Sequence, residues 1–155
     1  MRRNAAKIRD IIPDAQYHDV MVARFINYLM LDGKKSVIEK AVYKAFEMIE
    51  EKIKKNPIEV FKEAVEKITP RIEVRSKRVG GATYQVPCEV SDRRGTALSL
   101  KWLTFAVRKQ AGKGLHNKIY KVIMDTLNNT GWAYKKKEEV FRMAEANKAF
   151  AHFNW

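Results

Sequence analysis

The feature of this sequence that most constrains its fold is a helical spacing of apolar residues that is interrupted only once. From Ile38 to Ile53, for example, apolar residues recur every three or four positions, as in a helix with one buried face. Residues 71–90, RIEVRSKRVGGATYQVPCEV, instead carry strand-type residues on both sides of two glycines. The sequence therefore predicts a mainly α fold, a bundle of about six helices with one protruding β-hairpin at about residues 71–90.

Local signals predict where several helices begin and end. Asp19 is expected to cap the first helix, which would end at Gly33, and Asn56-Pro57 is expected to start the third. The fourth helix contains the run ALSLKWLTFAV (97–107), which is apolar nearly all round. Such a helix is typical of the centre of a bundle.

Length and composition predict a single domain over residues 1–155, because 46% hydrophobic residues allow a real core. Within it we expect a basic, flexible N-terminal arm (1–19), the hairpin arm and a C-terminal tail (148–155). The sequence has no apolar run that could span a membrane and no apolar segment of a secretory signal. The lone Cys88 fits a reducing compartment, so we expect a cytoplasmic protein.

The charge of the chain points to its partner. It carries 31 Lys+Arg against 18 Asp+Glu, a net charge of +13. Residues 39–68 hold seven Lys and seven Glu, so the other segments hold 24 basic and 11 acidic residues, which is the whole excess. A basic surface of this size predicts binding to a polyanion.

The sequence predicts neither catalysis nor a cofactor. Gly33-Lys34-Lys35-Ser36 resembles the end of a phosphate-binding loop, but that motif needs a glycine where Tyr28 stands. The three histidines are far apart and lack the spacing of metal ligands. We therefore expect no enzyme, no cofactor and no metal site.

The register of the hairpin is predicted from polarity. A two-residue loop would mix apolar and charged residues on both faces. A three-residue loop, Gly80-Gly81-Ala82, places Val74 opposite Cys88 on an apolar face, so we favour it. The tip, with Arg78 and Tyr84, would then have no core to join and would suit an external partner; a hairpin that merely covers the core is the alternative.

Three segments carry a resemblance to a known family. They are LDGKKSVIEKAVYKA (31–45), NPIEVFKEAVEKITPRIEVRSKRVGGATYQVPCEV (56–90) and RMAEANKAFAHF (142–153). Over nearly its whole length, the chain resembles the bacterial-type small-subunit ribosomal protein seven. It departs from the family's pattern at Phe141, where a histidine is frequent, and at Phe153-Asn154-Trp155, where an aromatic-Arg-Trp ending is more usual.

The resemblance implies a structural protein of the small ribosomal subunit. Such proteins bind the 3′ domain of the small-subunit rRNA and help nucleate assembly of the subunit head. They border the exit site for tRNA and the path of the mRNA, and they contact neighbouring head and platform proteins. A helical DNA-binding regulator is the alternative, although its best candidate reading helix, the fourth, is too apolar to lie exposed in a groove.

Carried over by position, the resemblance implies two sets of binding residues. The rRNA-binding candidates are basic: Arg2, Arg3, Lys7, Arg9, Lys34, Lys35, Arg75, Lys77, Arg78, Arg93, Arg94, Arg108, Lys109, Lys113, Lys135, Lys136, Lys137, Arg142 and Lys148. The tRNA-side candidates lie on the hairpin tip and the sixth helix: Arg78, Val79, Gly80, Gly81, Tyr84, Arg142 and Asn147.

Overall fold

A computed structural model of the chain describes residues 9–153. This range contains six α-helices, one two-stranded antiparallel sheet and a C-terminal 3₁₀ helix, so the prediction of a helical bundle with one hairpin is confirmed. In chain order the elements are α1 (Val20–Leu29), α2 (Lys35–Ile53), α3 (Pro57–Ile68), β1 (Ile72–Val79), β2 (Ala82–Glu89), α4 (Asp92–Lys109), α5 (Leu115–Leu127), α6 (Gly131–Ala146) and the 3₁₀ helix (Lys148–Phe153).

The predicted helix starts follow from side-chain caps. The Oδ1 atom of Asp19 accepts hydrogen bonds from the backbone N–H groups of Met21 at 2.7 Å and Val22 at 3.2 Å. Asn56 caps α3 in the same way. The predicted end of α1 at Gly33 is wrong: the helix stops at Leu29, because the backbone is extended at the next residue and a left-handed turn at Asp32 and Gly33 follows.

The core lies between α4 and the helices around it. α4 packs against α1, α3, α5 and α6, and its Leu100 and Leu103 are fully buried. The prediction of a central fourth helix is therefore confirmed. A second part of the core is aromatic, with the ring centroid of Phe61 lying 5.1 Å from that of Phe25 and 5.6 Å from that of Phe46.

The predicted register of the hairpin is wrong. The strands pair Glu73 with Cys88 and Arg75 with Val86, which leaves a two-residue loop, Gly80-Gly81. Both glycines have positive φ, 58° and 88°. Two-residue loops with this geometry match the right-handed twist of the strands. The buried face consequently carries a charged residue, Glu73, which polarity alone did not predict.

The C-terminal 3₁₀ helix packs against β2. The Tyr84 ring packs against two phenylalanines of this helix, with its centroid 5.3 Å from that of Phe150 and 5.0 Å from that of Phe153. The prediction that the tip has nothing in the chain to pack against is therefore wrong for Tyr84. Arg78 and the two loop glycines are exposed beyond it.

The chain before α1 is anchored from Asp14 onwards. Asp14 is 5% exposed, and its carboxylate accepts a hydrogen bond of 2.8 Å from the Tyr43 hydroxyl. The Tyr17 ring packs edge-on against Tyr43 and Phe46. The first part of the predicted N-terminal arm, residues 1–8, lies outside the described residues.

Candidate nucleic-acid interface

The base of the hairpin joins the start of α4 through one carboxylate. Glu73 is 8% exposed, and its Oε1 accepts a hydrogen bond of 2.7 Å from Nε of Arg75 on the same strand. Its Oε2 lies 3.3 Å from Nε of Arg94, in the first turn of α4. The arginine side chains remain more than half exposed, at 58% and 54%. Two predicted rRNA-binding residues are thus brought together, with Arg93 exposed beside them.

The ionised form of Glu73 is favoured by its partners. Burial raises the pKa of this carboxyl, but the hydrogen bonds and charges of Arg75 and Arg94 outweigh burial and lower the pKa below its ordinary value. The cluster is therefore a buried anion held between two exposed cations.

A groove of about 620 Å³ runs between the hairpin, α6 and the 3₁₀ helix. Arg75 and Lys148, both predicted rRNA-binding residues, line it together with the exposed ring of Phe141. Lys77 points towards the 3₁₀ helix instead, where its Nζ donates a hydrogen bond of 3.1 Å to the carbonyl of Phe153. Arg142, on α6, is exposed.

A second basic surface surrounds the carboxyl end of α4. Arg108 donates a hydrogen bond of 3.3 Å to the carbonyl of Tyr28 on α1, so it links two helices. The Lys109 ammonium lies 4.9 Å from the ring centroid of Phe105 and 5.4 Å from that of Trp132. Lys113 follows in the exposed linker to α5. Arginine and lysine side chains that rest on neighbouring groups in this way keep their charge at the surface.

The three predicted lysines of α6 are in different surroundings. Lys137 donates a hydrogen bond of 2.6 Å to the carbonyl of Lys67, near the end of α3. Lys136 forms an ion pair of 2.9 Å with Glu139, whereas Lys135 is exposed. Lys137 therefore has a structural contact, and Lys135 is the most available of the three.

The remaining predicted residues are placed as follows. Lys34 and Lys35 lie in and after the turn between α1 and α2, and Lys35 is 3.5 Å from Glu39. Asn147 uses its side-chain amide to donate a hydrogen bond to the carbonyl of Met143. Exposed Arg9 begins the described chain, and Arg2, Arg3 and Lys7 lie outside it.

Sequence reasoning missed Arg24 on α1. Its Nε atom is buried and has no hydrogen-bond partner among the described residues, and its side chain lines a small cavity with Ile11, Asn27 and Tyr28. The sequence indicates that Arg24 has no ion-pair partner on its own helix, because no acidic residue stands three or four positions from it.

The described residues, 9–153, contain neither a candidate metal site nor a candidate membrane span. No group of three His, Cys, Asp or Glu side chains in this range could hold a metal ion. None of the helices in the same range is both long enough and apolar enough to cross a bilayer.

Comparison with known proteins relates this basic helical fold to one family. Residues 1–148 match the family described as ribosomal protein S7p/S5e. The small ribosomal subunit protein uS7 of Thermotoga neapolitana is 54% identical over all of both chains, and that of Thermotoga maritima is 53% identical over the same extent. The uS7 protein of Dictyoglomus thermophilum is 53% identical over 99% of each chain. The chain therefore belongs to the S7p/S5e family of ribosomal proteins, which are structural and not enzymes.

Proposed function

We propose that this chain is a structural protein of the small ribosomal subunit that binds the 3′ domain of the small-subunit rRNA. The observation that carries the proposal is the distribution of charge. The stretch 39–68, which makes up most of α2 and α3, has no net charge, and the rest of the chain holds the entire +13. Such a division suits one face directed at RNA phosphates and another directed away from them.

The exposed arginines support contacts to phosphate. Arg75, Arg93 and Arg94 lie together where the hairpin meets α4, and Arg108 lies at the other end of the same helix. The guanidinium group matches the geometry of phosphate oxygens and does not lose its charge. Binding at both ends of α4 would fix the orientation of the protein on folded RNA and would help nucleate assembly of the subunit head.

The hairpin tip is the proposed tRNA side of the protein. Arg78, Gly80 and Gly81 are exposed at the end of the arm, where glycines allow a close approach of the backbone. Tyr84 supports this tip by packing on the C-terminal 3₁₀ helix. We place the tRNA exit site and the path of the mRNA beside the tip.

Contacts with neighbouring proteins of the head and platform would use apolar surface on α6. Phe141 and Met143 are 53% and 40% exposed there. The alternative function, reading DNA with α4, lacks support because that helix is enclosed by four others. Its buried leucines could enter a groove only if the bundle opened.

Co-sedimentation tests the proposal. The purified chain is mixed at moderate salt with small subunits that were assembled without this protein, and it should sediment with them in a one-to-one ratio. In a competition assay, the chain should not bind duplex DNA. If duplex DNA displaced the chain from the subunits as readily as free rRNA does, the result would contradict the proposal.

A further inference from the structure

The hairpin carries a buried acidic residue, Glu73, which contacts one arginine of the hairpin and one arginine of α4. One carboxylate oxygen of Glu73 accepts a hydrogen bond from Arg75, and the other accepts one from Arg94. The two arginines are 19 positions apart in the sequence and belong to different elements, β1 and α4. The carboxylate is therefore the group through which the orientation of the hairpin arginine is linked to that of the helix arginine.

The geometry leaves the arginines free to bind a second anion. Glu73 is almost completely buried, whereas both arginine side chains are more than half exposed. Arg75 contacts Glu73 through Nε and Nη2, and Arg94 contacts it through Nε, which leaves other N–H groups on each guanidinium for a second anion. An Arg side chain fixed on one edge loses less conformational entropy when its other edge binds phosphate.

We infer that Glu73 is a positioning residue that makes Arg75 and Arg94 one bipartite phosphate-binding site for an RNA backbone. This inference rests on the proposed function and names the residue that organises part of its interface. Glu73 acts through the arginines and does not touch the RNA. The ligand is a pair of phosphodiester groups, which two guanidinium groups at a fixed separation would select by spacing.

The direction in which Glu73→Gln changes RNA affinity separates a positioning role from a general electrostatic one. Glu73→Gln raises the net charge of the protein by one, and general electrostatics would therefore strengthen RNA binding. A positioning role predicts the opposite, because the guanidinium groups lose their anchor. Glu89→Gln is the matched control: Glu89 is an exposed acid on the other strand of the same hairpin, and its substitution changes the charge equally.

The experiment measures binding of the full chain to a 3′-domain rRNA fragment across a salt series. Glu73→Gln should bind about fivefold to tenfold more weakly than wild type, and its slope of log K against log salt should be smaller by about one to two. Glu89→Gln should bind as tightly as wild type or slightly more tightly. Arg94→Gln should weaken RNA binding when it is made in the wild-type chain. It should weaken binding little further when it is made in Glu73→Gln, because the two residues act as one unit.

Glu73→Gln binding as tightly as Glu89→Gln would overturn the inference. Amide exchange could show that Glu73→Gln loosens the hairpin. In that case the test uses the double variant Arg75→Lys/Arg94→Lys, which keeps every charge and leaves Glu73 paired. This double variant should bind several-fold more weakly, because an ammonium group lacks the guanidinium fork; a change below about twofold would overturn the inference. Failure of wild type itself to bind the fragment would contradict the proposed function instead.

Discussion

The Tyr84 ring, near the tip of the hairpin, lies 5.0 Å from the Phe153 ring at the end of the described chain. This contact joins β2 to the C-terminal 3₁₀ helix, and Phe150 packs against the same tyrosine. An isolated two-stranded hairpin is marginally stable in water. The aromatic contact therefore gives the outer half of the arm part of the support that a longer sheet would provide.

Phe153→Ala should loosen the arm. The loss of one aromatic partner of Tyr84 should lower the free energy of unfolding by about 0.5–1.5 kcal/mol and speed amide exchange in β1 and β2. Phe141→Ala is the matched control, since Phe141 is 53% exposed on α6, and it should change stability by less than about 0.5 kcal/mol. Equal exchange rates in the two variants would show that the 3₁₀ helix does not support the hairpin.

The loop should tolerate asparagine in place of Gly80 but should not tolerate alanine in place of Gly81. Gly81 has φ +88°, and Gly81→Ala should weaken the hairpin by about 1–2 kcal/mol, because an L side chain disfavours this conformation. Gly80→Asn should be nearly neutral, since Asn adopts left-handed geometry at the first position of such a turn. Amide protection of the strands measures both variants. A neutral Gly81→Ala would contradict the two-residue loop.

Acid should weaken the fold through Asp19 and Glu73. Burial raises the pKa of Asp19, but its hydrogen bonds to Lys62 and to the backbone of Val22 and Met21 lower it overall, below the ordinary 3.8. The pKa of Glu73 is likewise lowered below 4.5. The folded state therefore favours both ionised groups, so their stabilisation is complete above the unfolded pKa values and is lost as the pH falls through the folded ones.

Urea unfolding between pH 7 and pH 3 measures this loss. Asp19→Asn and Glu73→Gln should each reduce the dependence of stability on pH below about pH 4.5. An unchanged acid limb in both Asp19→Asn and Glu73→Gln would contradict the assigned ion pairs.

Signals that lie close together in the sequence predicted the helical part of the fold. Asp19 and Asn56 cap their helices within three residues of themselves, and the apolar run of α4 identified the central helix without any knowledge of its neighbours. Such features depend on local hydrogen bonding and on periodicity, both of which a single sequence contains.

The errors arose where distant residues decide the structure. The polarity of the strands favoured the wrong register because Arg94, 21 positions from Glu73, makes a buried acid acceptable. The packing of Tyr84 depends on Phe153, which lies 69 positions further along the chain. For the candidate site, the family resemblance predicted the basic residues but not their partners within the fold, such as the Lys67 carbonyl that accepts a hydrogen bond from Lys137.

The salt dependence of rRNA binding tests the central claim most directly. We attribute the affinity for the 3′-domain RNA to phosphate contacts made by exposed basic residues outside the charge-balanced stretch 39–68. With six to ten such contacts, affinity should fall roughly 10³–10⁵-fold between about 50 and about 200 mM salt. An affinity that stays constant across this range would contradict the account.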